Sequence, residues 1–473
     1  MNFALMIPEL TALMVLLVLL LGELFIKDFS QKRSADASTA GALAVLGALA
    51  LSSQNQGSTF HGTFAVNSLS IFFKVFFAVC LIPVIQMARE FFSVRLRSPG
   101  EFFLTLWITL IGLFFLSSAH DFLLLFIALE IVTLSFYIMA SYLKKDLFSI
   151  EAGLKYLILG SLASAFMIYG VSLLYVAAGT TSFTGIREVF AAGNAPALMT
   201  FGLLLILSGI AFKAAAVPFQ LWAADVYEGA PTPVTAFLSS GSKAAAFLLF
   251  LNVLYAVFPG YDSGRVILFS ALSAMTLIYG NLGALAQTNI KRLFAYSGIS
   301  HAGYLLMGLA SGGIRGTEAL LFYLIAYSAS TLSAFLVMTV VGQALGSDRI
   351  DSYRGLARRS PFLAAVFFVS LLSLAGIPPL AGFFGKFLIL LSAVHEGHKA
   401  LAFLGCLAVA VSLFYYLNLV RKVYADEPST TAPVLVSPLS KLILSVLTAF
   451  IILSGFWQAP ILSFASYAAK SLF

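Results

Sequence analysis

Charge is scarce in this chain. Only 10% of its 473 residues are Asp, Glu, Lys or Arg, while 60% are hydrophobic. A soluble globular domain carries roughly 25% charged residues, so the shortage excludes an ordinary water-soluble fold. Cysteine is scarcer still. Cys80 and Cys406 stand far apart, each within an apolar run, and both read as small core residues. With no C-x-x-C pair, the chain offers no thiolate framework for an iron–sulfur cluster or zinc. G-x-G-x-x-G and Walker patterns are missing too, which argues against a nucleotide or redox cofactor of its own. No Ser–His–Asp arrangement suggests hydrolysis.

Long apolar runs take the place of these features. A run of about 20 apolar residues spans a bilayer as a helix, because hydrocarbon offers the backbone no hydrogen-bond partners. Fourteen such segments occur, near 3–25, 38–53, 66–87, 101–118, 121–142, 153–178, 199–223, 232–257, 264–286, 292–310, 317–345, 362–392, 399–420 and 438–460. The first, FALMIPELTALMVLLVLLLGELF, has no Lys or Arg before it and no A-x-A site after it. It reads as a retained helix, not a cleaved signal. The expected fold class is an all-α polytopic membrane protein with about fourteen transmembrane helices.

The net charge of +7 follows from topology. Basic residues crowd the odd-numbered loops: Lys27, Lys32, Arg33; Arg89, Arg95, Arg97; Lys144, Lys145; Lys291, Arg292; Arg349, Arg354, Arg358, Arg359; Arg421, Lys422. The even loops hold Arg187, Arg265, Arg315 and Lys399. Cytoplasmic loops are the Lys/Arg-rich ones, so both termini are expected on the outer side. The basic surplus then needs no nucleic-acid partner.

Several charges remain that topology does not explain. Lys441 and Lys470 flank the last segment and can snorkel. Lys213, in GIAFKAAAVPFQLW, is fourteen residues into its segment, about 21 Å along a helix, too deep for its stem to reach the headgroups. Lys243 in SSGSKAAAF, Glu130 in LLLFIALEIVTL and Lys386 in AGIPPLAGFFGKFLIL are similarly placed. Ionisable groups at such depth are expensive and mark ion or proton pathways. Lys155 is nearer a helix start, where snorkelling competes with function; Lys74 and His301 are weaker candidates. Burial disfavours a charged lysine and a nearby carboxylate favours it. One acid and several buried bases are therefore an inventory for moving protons.

Pro218, Pro378 and Pro379 interrupt the seventh and twelfth segments. Each removes a backbone donor, and interrupted helices at membrane depth are tolerated where they line a polar cavity. The two breaks are five segments apart. Five-helix copies, fourth to eighth and ninth to thirteenth, would then have opposite orientation, the plan of an inverted-repeat transporter. The expected divisions are a three-helix part (1–100), a first repeat (101–258), a second repeat (259–425) and a C-terminal helix (426–473).

Four stretches carry a resemblance: EAGLKYLILGSLASAFMIYG (151–170), DVYEGAPTPVTAFLSSGSKAAAF (225–247), TNIKRLFAYSGISHAGYLLMG (288–308) and GLARRSPFLAAVFFVSLLSLAGIPPLAGFFGKF (355–387). They resemble the subunit N (chain 2) family of bacterial NADH–quinone oxidoreductase, respiratory complex I, over essentially the whole chain. The resemblance implies fourteen helices, two inverted five-helix repeats and broken helices seven and twelve. It also implies a place in a membrane arm that couples quinone reduction to proton pumping. The family's acidic pathway residue falls on Glu130, its broken-helix lysine on Lys213, its central lysine on Lys243, its exit-side residue on Lys386 and an accessory lysine on Lys155. FMN, iron–sulfur clusters and quinone are then expected in partner subunits of the membrane and peripheral arms, and the location is the bacterial inner membrane. The related subunit L carries a long lateral helix, and subunit M usually has glutamate at the Lys386 position, so the chain looks like N. One departure stands out. The family often reads P-F-H-x-W after the first break, and here Gln220 stands at the histidine position, so any relay there runs through water. Alternatives are a subunit of a multisubunit sodium/proton antiporter, a hydrogenase-type membrane subunit, or a purely structural spacer.

Overall fold

The computed structural model describes residues 2–473 apart from 27–30, 96–99, 194–195, 260 and 428–432. Lys27 and Arg97, two of the loop cations, lie outside the described residues. A 3-10 turn (Phe3–Met6) opens into α1 (Ile7–Phe25), followed by α2 (Gln31–Ser52) and α3 (Ser68–Arg95). The α2–α3 connection is a small antiparallel hairpin of β1 (Gly57–Thr59) and β2 (Phe64–Val66). Next come α4 (Gly100–Ser118), α5 (Phe122–Ala140), α6 (Leu147–Ala178) and the short α7 (Phe183–Ala191). A helix in two pieces follows, α8 (Pro196–Ala214) and α9 (Leu221–Gly229). The next rod is α10 (Thr232–Phe237), a π-turn at Leu238–Ser242, α11 (Lys243–Leu251) and a second π-turn at Asn252–Val257. Beyond it lie α12 (Asp262–Leu285), α13 (Ile290–Ser311) and α14 (Gly313–Leu345), then a 3-10 turn (Ile350–Tyr353) and α15 (Leu356–Arg359). The second interrupted helix is α16 (Pro361–Ala375) and α17 (Ala381–His395), and α18 (Lys399–Tyr424), α19 (Pro438–Phe456) and α20 (Ala459–Lys470) complete the chain.

Twelve of the described helices are long and apolar enough to cross a membrane, and the fold is all-α and polytopic. The tenth and twelfth expected segments are not among the twelve. The twelfth is the broken pair α16–α17. The tenth is α13, in which every residue except Arg292 and Tyr296 is buried. Its solvent is other helices, so it can carry Ser297, Ser300 and His301 where a lipid-facing helix could not. The rod α10–α11 is likewise enclosed on all sides.

The structure corrects several boundaries. α2 begins at Gln31 and α3 runs to Arg95, beyond the apolar runs that marked them, because Gln, Lys and Arg are good helix formers and extend a helix past the hydrocarbon. α20 was not expected. It is a twelve-residue helix, too short and too mixed in polarity to register as a span. Cys80 is buried as expected, but Cys406 is exposed on α18, so that thiol is not a core residue.

Some local features occur twice. Asp121 caps α5 by accepting from the Leu123 amide, and Asn289 caps α13 by accepting from the Lys291 amide. Each capping residue bridges a later loop residue, Asp121 to Ser182 and Asn289 to Arg349. α6 ends at Gly179 with φ 70° and α14 at Gly346 with φ 64°, left-handed ends that glycine adopts without a Cβ penalty. The breaks match as well. After α8, Ala215 has φ 56° and the Ala216 amide donates to the Ala211 carbonyl at 2.9 Å. After α16, Gly376 has φ 88° and the Ile377 amide donates to the Leu372 carbonyl at 3.0 Å. The Val217–Pro218 and Pro378–Pro379 peptides are both cis.

Candidate functional site

Lys213 lies on the last turn of α8 and is 4% exposed. Its Nζ is 3.4 Å from the Tyr137 hydroxyl of α5 and stands over the Tyr137 and Phe212 rings. Glu130, the acid expected beside it, is half-buried and accepts the Ser164 hydroxyl at 2.6 Å. No ion pair within 4.0 Å joins Glu130 to Lys213 among the described residues. Tyr137, seven residues from Glu130 on α5 and on the same helix face, is the α5 residue that meets the ammonium. At the end of α8 the Phe212 carbonyl accepts the Ala215 amide at 3.0 Å and, across the gap, the Trp222 indole of α9 at 2.9 Å. Trp222 also stacks on Tyr156, with centroids 4.6 Å apart. Gln220 is buried just before α9, and its amide oxygen has no hydrogen-bond partner among the described residues.

Lys243 opens α11 directly after the first π-turn. π-turns add a residue to the helical ladder and recur at functional sites. Its ammonium donates to the Gly298 carbonyl of α13 and to the Tyr327 hydroxyl of α14 at 3.3 Å. A Cβ on Gly298 would lie 3.2 Å from that Nζ, so the absence of a side chain there admits the ammonium. One turn further along α13, His301 has Nδ1 2.5 Å from the Tyr323 hydroxyl and Nε2 3.1 Å from the Tyr416 hydroxyl. Its ring is 4.8 Å from that of Tyr327.

Lys386 sits on α17, 3% exposed, and donates to the carbonyls of Leu374 at 2.8 Å and Ala375 at 3.1 Å. These are carbonyls that the break after α16 frees. The ammonium stands 5.1 Å above the Tyr304 ring, which packs against Tyr323 at 6.1 Å. Aromatic contacts thus run from Lys243 to Lys386 by way of Tyr327, His301, Tyr323 and Tyr304. No direct hydrogen bond joins Lys213 to Lys243 among the described residues.

Lys155 belongs elsewhere. Its side chain is 42% exposed and pairs with Glu151 at 2.8 Å and Asp225 at 2.7 Å. Lys74 forms a fully buried pair with Glu9 at 2.6 Å, joining α1 to α3 away from the other lysines. Sequence reasoning missed Tyr137, Tyr323, Tyr327 and Ser164, whose hydroxyls face the buried charges. A helical signal for them existed: Tyr137 is seven residues from Glu130, and Tyr323 and Tyr327 are four apart, so each shares a helix face with its neighbour.

The profile of the family described as NADH:quinone oxidoreductase/Mrp antiporter, TM, matches residues 119–412, which include every one of these lysines but Lys74. NADH-quinone oxidoreductase subunit N of Desulforamulus reducens is 37% identical over 471 residues, covering 99% of this chain and 98% of that protein. The chain belongs to the NADH-quinone oxidoreductase subunit N family. A solved relative is a chain of respiratory complex I from Thermus thermophilus with bound aureothin. It is 32% identical, with a TM-score of 0.83 over 96% of this chain and 98% of that chain. A chain of the Mrp complex from Dietzia sp., 20% identical, superposes with a TM-score of 0.90 over 100% of this chain and 98% of that one, and shares the fold alone.

Proposed function

We propose that this chain is a proton-translocating membrane-arm subunit of an NADH–quinone oxidoreductase. The observation that carries this reading is the row of three ammonium groups, Lys213, Lys243 and Lys386, each no more than 4% exposed in an otherwise apolar membrane protein. The redox chemistry, with its FMN, iron–sulfur clusters and quinone, belongs to partner subunits of the membrane and peripheral arms. The expected location is a bacterial inner membrane, with the basic loops cytoplasmic and both termini outside.

The matching caps, loop bridges and breaks support two five-helix repeats, α4 to the α10–α11 rod and α12 to α18. In this reading Glu130 acts on Lys213 through the face of α5 that also carries Tyr137. Approach of the carboxylate favours the charged lysine, and its withdrawal favours release of the proton. The proton passes through water, with Gln220 holding rather than relaying it, to Lys243. From there Tyr327, His301, Tyr323 and Tyr304 supply hydroxyls and an imidazole toward Lys386, the exit-side site. A polar cavity of about 360 Å³ among Asp146, Glu228, Thr232, Asn289, Lys291 and Asp348 supports water access from the cytoplasmic side.

The test is proton pumping by the purified complex in liposomes, normalised to assembly and to quinone reduction. Lys213→Met should abolish pumping, Glu130→Gln should approach it, and Glu130→Asp should fall between Glu130→Gln and wild type. Equal pumping by all three at equal assembly would make the row structural. The antiporter alternative predicts sodium-dependent transport by the chain without redox partners; its absence removes that alternative.

A further inference from the structure

Helix α9 is nine residues long, shorter than the roughly 12–15 residues an isolated helix needs to be even marginally stable. Its position is therefore set by what grips it. One end is gripped through Trp222 and the Phe212 carbonyl, beside Lys213. The other end carries two carboxylates one turn apart, Asp225 and Glu228. Asp225 Oδ2 takes the Lys155 ammonium of α6 at 2.7 Å, and its Oδ1 takes the Arg292 guanidinium of α13 at 2.7 Å. Arg292 reaches Glu228 at 2.8 Å with the same nitrogen, and Glu228 also accepts the Asn289 amide at 3.2 Å.

The two sides of this clamp are unequal. On the α13 side α9 is held by both of its carboxylates. On the α6 side Asp225 makes its one charged link, beside the stacking of Trp222 on Tyr156, and Lys155 keeps a second acid, Glu151, on its own helix. Opening the Lys155–Asp225 link leaves no charge without an ionic partner; opening the Arg292 links would leave Arg292 and Glu228 without one. We propose that Asp225 is a positioning residue for proton transfer, a shared carboxylate that fastens the half-helix beside Lys213 to α13, the helix whose Gly298 carbonyl receives Lys243. The link to α6 is the one that opens. α9 thereby makes the geometry around Lys213 answer to that around Lys243, although among the described residues no hydrogen bond joins the two lysines directly. The residues of the clamp are a third to over half exposed, where single ion pairs add little stability, so its loss should free α9 without unfolding the chain.

This inference rests on the proposed pumping role, and the experiment separates the two. Asp225→Asn, Asp225→Glu, Arg292→Gln, Lys155→Met, the double variant Asp225→Asn/Arg292→Gln and Lys213→Met are each purified as the whole complex, checked for assembly and assayed for protons moved per NADH oxidised. Asp225→Asn should lose at least half of what Lys213→Met loses, and Asp225→Glu should recover most of that. Arg292→Gln should resemble Asp225→Asn, and the double variant should be no worse than either, because all break the same Asp225–Arg292 link. Lys155→Met should lose least. Independent, multiplying losses in the double variant, or wild-type coupling in Asp225→Asn, would overturn the assignment. Should Asp225→Asn fail to assemble, Arg292→Lys decides: it keeps the charge but cannot serve both carboxylates as the guanidinium does, so unchanged coupling would overturn the assignment as well. If Lys213→Met itself pumps normally, the proposed function falls; if only the clamp variants do, this inference falls alone.

Discussion

At Pro218 the lysine stands on the helix before the gap; at Pro378–Pro379 it stands on the helix after it. The backbone around the two gaps is nearly the same, with a positive-φ residue and a hydrogen bond reaching back five residues in each. The side chains filling them differ. In the second break Lys386 itself satisfies the freed carbonyls of Leu374 and Ala375. In the first the Trp222 indole, beside the Ala215 amide, meets the Phe212 carbonyl, and Lys213 has one long hydrogen bond, to Tyr137 at 3.4 Å, and the faces of the Tyr137 and Phe212 rings. Seven residues past each break's last proline stand Asp225 and Lys386, opposite charges at equivalent places. One scaffold therefore supports a tethered lysine at one break and a loosely held one at the other. The loosely held lysine is the one whose neighbourhood an acid and the half-helix α9 could tune.

The largest test of this comparison is steric. A Cβ on Gly382 would stand 1.9 Å from the Ser373 carbonyl, because α17 crosses the end of α16 there. Gly382→Leu should prevent assembly of the chain, a cost above about 4 kcal/mol, seen as loss of the complex on native gels. A tolerated leucine would mean that the second break is far looser than described.

Smaller in stability, and decisive for the lysines, is the pair Lys386→Met and Lys213→Met. Methionine conserves volume while removing charge. Lys386→Met leaves two buried carbonyls without their donor and should cost about 1–3 kcal/mol in a thermal melt of the complex. Lys213→Met should cost visibly less, and both should lose pumping. Equal destabilisation would erase the distinction between tethered and loose lysines.

The smallest effect is expected at Leu221, the first-break counterpart of Gly382, which is 68% exposed. Leu221→Ala should change stability by no more than about 0.5 kcal/mol. A large loss of assembly from this substitution would show that a partner subunit covers the residue in the complex.

The buried lysines were legible because hydrocarbon makes charge expensive, so each one stands out of its apolar run without any knowledge of its neighbours. The prolines were legible for a similar reason, since they alone cannot donate to the helical ladder. The tyrosines were not: they are ordinary in a membrane segment until the register of α5, α13 and α14 turns their hydroxyls toward an ammonium. Which group meets Lys213 was hidden in the same way: Glu130 accepts the Ser164 hydroxyl and the ammonium reaches Tyr137, contacts that no spacing within either segment encodes.

Composition and hydropathy by themselves determined the membrane, the all-α class, the placing of most helices and the depth of Lys213, Lys243 and Lys386. They could do so because water and hydrocarbon select residues one at a time. Tertiary structure decided which groups those lysines touch. It also decided that α13 is an interior helix, that α20 exists, and that Asp225 stands between Lys155 and Arg292. Those facts depend on how helices distant in sequence rotate and slide against one another, a property of pairs of surfaces and not of any single residue.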